Sequence, residues 1–132
     1  MAGKLKLTIV EAKLSRDTEY WGKMDPFVVL KYNKEEHKTK EIENAGSTPK
    51  WNKSFDIGVK RVTDNIIIEV YDVDVFDNEL IGAGIAHVEN LCVDKQKSTW
   101  FTVNFKGELA GQILIESEWT PTVKGESKQK DT

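Results

Sequence analysis

A chain of 132 residues, 39% hydrophobic and 31% charged, has room for one domain, and at that size folding buries roughly two-thirds of the surface the unfolded chain exposes. The formal charge of -3 is ordinary for a globular protein, so it excludes bulk disorder but names no partner. Cys92 is the only cysteine, which excludes an intramolecular disulfide, a Cys-rich zinc site and a CxxC redox pair, and no apolar run approaches the ~20 residues that span a bilayer. Met1 to Lys6 lacks the apolar core of a secretory signal, and Ala2 stands where myristoylation needs Gly; the lone cysteine makes the cytoplasm the expected compartment.

In chain order, Leu5, Leu7 and Ile9 alternate with Lys4, Lys6 and Thr8, the period of two of a half-buried strand. Further strands are expected at 27–32, 37–42, 54–59, 66–71, 81–88, 99–105 and 112–119, all rich in Val, Ile, Thr and aromatics. Breakers such as Asp25-Pro26, Ser47-Thr48-Pro49, Asp77-Asn78 and Lys106-Gly107 separate them, and no segment of ten residues keeps a helical stripe. One helical turn is expected at 89–93. Eight short strands at this spacing predict an all-β fold, an eight-stranded antiparallel β-sandwich of two four-stranded sheets over residues 1–121. From 122 to 132 the only apolar side chain is Val123, too little to offset the entropy of ordering, so a loose polar tail is expected.

Two acidic clusters fall in connections between strands. The first holds Asp17, Glu19 and Asp25 around Tyr20, Trp21 and Gly22; the second is Asp72, Asp74, Asp77 and Glu79, directly after the apolar strand. A single loop carboxylate is usually only solvated. Asp72 and Asp74, two apart at a strand end, point the same way and repel unless a cation lies between them. Ca²⁺ suits that demand, taking six to eight oxygens at about 2.3–2.6 Å in forgiving geometry, whereas zinc wants imidazole or thiolate. An EF-hand is excluded: counting from Asp72, Asp77 stands at the sixth position where Gly is required and Ala83 at the twelfth where Glu is required.

These residues resemble the C2 domain family. Trp21-Gly-Lys-Met-Asp-Pro-Phe-Val-Val-Leu30 is similar to its loop-to-strand signature. Thr48-Pro-Lys-Trp-Asn-Lys-Ser-Phe55 is similar to its Asn-Pro-x-Trp-Asn-x-x-Phe segment, with Thr48 for the usual Asn. Ile68-Glu-Val-Tyr-Asp-Val-Asp74, followed by Leu80-Ile-Gly82, resembles its third metal-binding loop. The resemblance implies that Glu19, Asp25, Asp72, Asp74 and Glu79 carry Ca²⁺. The family typically has Asp where Glu19 and Glu79 stand, which weakens the expectation for a second metal and leaves Asp17 and Asp77 as substitutes. The closing strand Gly111-Gln-Ile-Leu-Ile-Glu-Ser-Glu-Trp119 resembles the type II order, in which it comes last and not first.

The implied function is calcium-dependent docking on anionic phospholipid membranes. Tyr20, Trp21, Val75 and Phe76 sit on the acidic loops and either pack on the loop base or insert at the lipid interface; insertion is the reading taken, with Ca²⁺ relieving the repulsion between carboxylates and anionic lipid. Lys38 and Lys40 share a face if the strand spans 37–42, and Lys31 adjoins them. Matching positions in the family bind phosphoinositide headgroups, but lysines also guard exposed strand edges, and Glu35, Glu36, Glu41 and Glu43 dilute the patch, so both readings stay open. Catalysis is not expected: no motif flanks Cys92, His37 or His87, and Gly82-Ala83-Gly84 lacks the third glycine of a dinucleotide loop. Nucleic acid is excluded as a partner by the absence of a continuous basic track. The rival function is a calcium-independent scaffold that binds a protein partner through the sandwich faces.

Overall fold

The computed structural model describes residues 1–19 and 21–123. Eight strands form in chain order: β1 (Gly3–Leu14), β2 (Pro26–Tyr32), β3 (Glu35–Lys38), β4 (Lys50–Val59), β5 (Asn65–Asp72), β6 (Glu79–His87), β7 (Gln96–Phe105) and β8 (Glu108–Pro121), with one helical turn, α1 (Val88–Leu91), between β6 and β7. All neighbouring strands are antiparallel, in the order β3-β2-β5-β6-β7-β8-β1-β4. Between β6 and β7 the ladder shrinks to one facing pair, Ala83 with Asn104, so the ribbon breaks there into two four-stranded sheets that pack as a sandwich.

The alternation read from β1 continues through a device the sequence pattern hides. Leu5, Leu7 and Ile9 face the core, and then a bulge between Ile9 and Glu11 shifts the phase by one residue, so that Ala12 and Leu14 face inward as well. From the opposite sheet, Val28, Leu30, Ile66, Ile68 and Val70 close the same core. Removing aliphatic side chains of this size from water is worth about 1.5–3 kcal/mol each before entropy is counted. Gly84 permits the turn from one sheet to the other: a Cβ there would lie 2.7 Å from the Phe101 ring, so only glycine lets β6 pass beneath β7.

Two sequence expectations need correction. The strand expected at 37–42 spans Glu35–Lys38 instead. Asn33 adopts φ 53°, and Asn33 and Lys34 form a two-residue turn that pairs Tyr32 directly with Glu35, so the hairpin begins sooner and its edge strand ends sooner. Lys40 therefore lies beyond the strand, and the alternation expected to align it with Lys38 does not reach it. The helical turn begins at Val88, one residue before the expected start, because the apolar Val88 and Leu91 both bury. Of the expected tail, only Thr122 and Val123 fall within the described residues.

Candidate functional site

The geometry follows from the strands that deliver the loops. Asp72 is in phase with Ile66, Ile68 and Val70, so its side chain turns inward at the mouth of the sandwich and is only 1% exposed. A buried carboxylate needs donors. Thr18 donates its hydroxyl to Asp72 Oδ2 at 2.7 Å, and the backbone N–H of Asp25 donates to Asp72 Oδ1 at 2.8 Å. Pro26 faces Asp72 in the β2–β5 ladder, and Val73 N–H donates to the Asp25 carbonyl at 3.2 Å, which carries that pairing into the loops. Asp25 Oδ1 in turn accepts the N–H of Asn44 at 2.6 Å.

These contacts gather carboxyl groups from both acidic stretches. The Glu19 carboxyl is pushed up from 4.5 to about 7, first by hydrogen bonding to the Asp72 side chain, then by burial, and then by the charges of Asp72, Asp74 and Asp25. Among the described residues, no Lys or Arg forms an ion pair with Glu19, Asp25, Asp72 or Asp74. Nor does any described group of three or more His, Cys, Asp or Glu side chains stand ready to hold a metal ion. The donors share one end of the sandwich, and hydrogen bonds from Thr18 and the backbone hold the Asp72 and Asp25 oxygens.

The remaining acidic candidates have partners of their own. Glu79 faces Arg16, with Nη2 to Oε2 at 3.8 Å. Asp17 Oδ1 accepts the N–H of Glu19, and Asp77 Oδ1 accepts that of Asn78, so both shape their own loops. Asp74 does likewise toward Val75 N–H while still adding its charge to the surroundings of Glu19. Oxygen-only donors of this kind suit a hard divalent cation.

Beside the carboxylates the loop tips carry apolar side chains out into solvent: Trp21 is 83% exposed, Val75 87% and Phe76 98%. Tyr20 lies outside the described residues. On the outer face of β2, β3 and β5, a hollow of about 160 Å³ is floored by Phe27 and Tyr71, whose rings stack at 5.6 Å. Its lysines are already engaged. Lys31 Nζ meets Glu69 at 2.9 Å, which also holds the ammonium pKa up, and Lys38 Nζ lies 3.9 Å from Glu36. Burial pushes the Cys92 thiol up to about 11, so it stays protonated at neutral pH.

Sequence reasoning missed Thr18, Asn44 and Arg16. Thr18 and Asn44 act on carboxylates many residues away through contacts that no local motif signals.

Comparison with known proteins agrees with this fold. Synaptotagmin-4 of Arabidopsis thaliana is 31% identical over 92% of this chain, which spans only 21% of that relative's length. Elicitor-responsive protein 3 of Oryza sativa is 30% identical over 90% of this chain and 84% of its own length. The calcium-bound structure of the C2A and C2B domains of extended-synaptotagmin 2 superposes with a TM-score of 0.78 at 21% identity, covering 90% of this chain and 46% of that one, a likeness that carries the fold alone. The family model described as the C2 domain matches residues 3–103. With that match, and with eight antiparallel strands delivering two acidic loops to one mouth, the chain belongs to the C2 domain family.

Proposed function

We propose that this chain is a calcium-dependent phospholipid-binding module that docks from the cytoplasm onto anionic membranes as a peripheral protein. One observation carries the reading: the backbone of Asp25 bonds to the Asp72 carboxylate, the charges of Asp25, Asp72 and Asp74 act on Glu19 with no described ion pair to offset them, and the same loops expose Trp21, Val75 and Phe76 at their tips. Like charges held this close are costly unless a cation joins them, and apolar tips this exposed are unfavourable unless a second apolar phase receives them. A bound Ca²⁺ would supply the compensating charge and coordination positions open to lipid phosphate.

The chain's own residues supply the rest. Asp25 and Asp72 are the firmly positioned donors, since the backbone and Thr18 fix their oxygens; Glu19 and Asp74 complete the group. Asp17, Asp77 and Glu79 are the reserve positions. Trp21, Val75 and Phe76, with Tyr20 beside them in sequence, are the inserting side chains, and interfacial Trp and Tyr suit the headgroup level. Lys31, Lys38 and Lys40 are the headgroup candidates, including for phosphoinositide. Because Glu69 and Glu36 already hold two of them, an anionic headgroup must compete with those ion pairs. Among the described residues no helix is long and apolar enough to cross a membrane, and surface docking requires none.

Sedimentation with liposomes containing anionic lipid tests the reading. Wild type pellets with Ca²⁺ and stays in solution with chelator, and Asp72→Asn/Asp74→Asn stays in solution in both. Equal pelleting with and without Ca²⁺ would falsify the calcium dependence, and no pelleting in either would leave the protein-binding scaffold as the better account.

A further inference from the structure

Each acidic loop has two ends, and the loops are stitched together at both. The exit of the β1–β2 loop meets the entrance of the β5–β6 loop through Asp25 and Asp72, as described above. At the other side, where β1 hands over to its loop and β6 begins, the joining group is one side chain. Arg16 Nη1 donates to the carbonyl of Leu80 at 2.9 Å and reaches that of Ile81 at 3.4 Å, while Nη2 lies 3.8 Å from Glu79. Its guanidinium stacks on the Phe105 ring at 3.6 Å, and Phe105 packs against the core. The backbone N–H groups of Ser15 and Arg16 both donate to the Ala110 carbonyl, at 2.8 and 3.1 Å, so the arginine's own base is anchored on β8. The planar fork thus spans two elements, bonding the start of β6 in front and resting on β7 behind.

We propose that Arg16 is a positioning residue that sets the separation of the two acidic loops before any cation arrives, and that holds Glu79 apart from the other carboxylates. Its action needs shape as well as charge. A lysine at 16 keeps one positive charge but cannot fork to two carbonyls while stacking flat on Phe105. A purely electrostatic role and a positioning role also differ in sign: deleting a positive charge beside a cation site tightens cation binding, whereas loosening the loops weakens it.

The inference rests on the calcium reading only for the second of two readouts. The first is amide hydrogen exchange of the full chain in chelator, comparing wild type with Arg16→Gln and Arg16→Lys. Amides of residues 17–25 and 73–79 are expected to exchange about tenfold faster in both variants, while mid-strand amides of β1 and β5 keep their wild-type rates. The second is calorimetric titration with Ca²⁺, in which both variants bind roughly five- to tenfold more weakly than wild type. Tyr32→Phe, at the opposite end of the sandwich, serves as a control that loses stability without selectively loosening these loops. Unchanged loop exchange in chelator, tighter calcium binding by Arg16→Gln, or full rescue by Arg16→Lys each overturns the proposal. Should wild type take up no Ca²⁺, the functional reading falls and the exchange rates alone decide the role of Arg16.

Discussion

The two ends of the sandwich treat their carboxylates in opposite ways. At the end away from the acidic loops, Asp64 accepts the hydroxyl of Tyr32 at 2.5 Å and meets Arg61 Nε at 3.4 Å, while that hydroxyl accepts Lys60 N–H at 2.8 Å. The chain satisfies this acid with its own donors and a neighbouring cation. At the loop end, Asp72 is more deeply buried, yet its partners are a hydroxyl, one backbone N–H and the Glu19 carboxyl, with no described ion pair to a cation. An internally balanced acid serves stability, whereas acids left unbalanced by the described residues are what the proposed cation site rests on.

Substitutions at the two ends sharpen that contrast. The largest expected effect is on lipid affinity. Phe76→Ala removes a ring worth about 1.5–3 kcal/mol when buried, so calcium-dependent liposome binding should weaken by roughly ten- to a hundredfold. Because Phe76 is exposed, its melting temperature should barely move. Next is Tyr32→Phe, which leaves the Lys60 N–H without its acceptor and the Asp64 carboxylate with Arg61 alone, and should cost about 1–3 kcal/mol in urea unfolding. Its liposome binding should match wild type, and a loss there would mean that the ends are not independent.

Acidity provides a smaller and subtler test. The folded Glu19 carboxyl, at about 7, lies above its ordinary value of 4.5, so the folded state binds the proton more tightly. The contribution is fully present below about 4.5 and is lost as pH rises through about 7. In chelator, the melting temperature should therefore rise as pH falls from 8 to 5.5, and Glu19→Gln should flatten that rise. The smallest effect is Asp74→Asn in chelator. Removing one like charge from an exposed loop should stabilise by a few tenths of a kcal/mol, opposite in sign to any loss of charge at Asp64.

Much of the fold was legible in the alternation of single residues. Leu5, Leu7 and Ile9 identified β1, and the apolar run from Ile66 identified β5, whereas the burial of Asp72 beside an exposed Asp74 was not foreseen. Where the pattern lacked apolar residues it failed. The edge strand Glu35–Lys38 is wholly polar, and the turn before it uses an asparagine at φ 53° with no glycine, so nothing marked either boundary. The acidic stretches were readable as residue types at strand ends, and their role as a cation site remains a proposal. The partner of Glu79 was not readable: Arg16, which faces it, stands sixty-three residues earlier in the chain. Contacts of that separation follow from the sheet order β6-β7-β8-β1 and leave no local trace.

Thermal unfolding with added Ca²⁺ tests the central claim most directly, since a ligand that binds only the folded state must raise its melting temperature. The account predicts a rise with Ca²⁺ in wild type and in Tyr32→Phe, and none in Asp72→Asn/Asp74→Asn. An unchanged melting temperature for wild type at millimolar Ca²⁺, or an equal rise in the double variant, would contradict it.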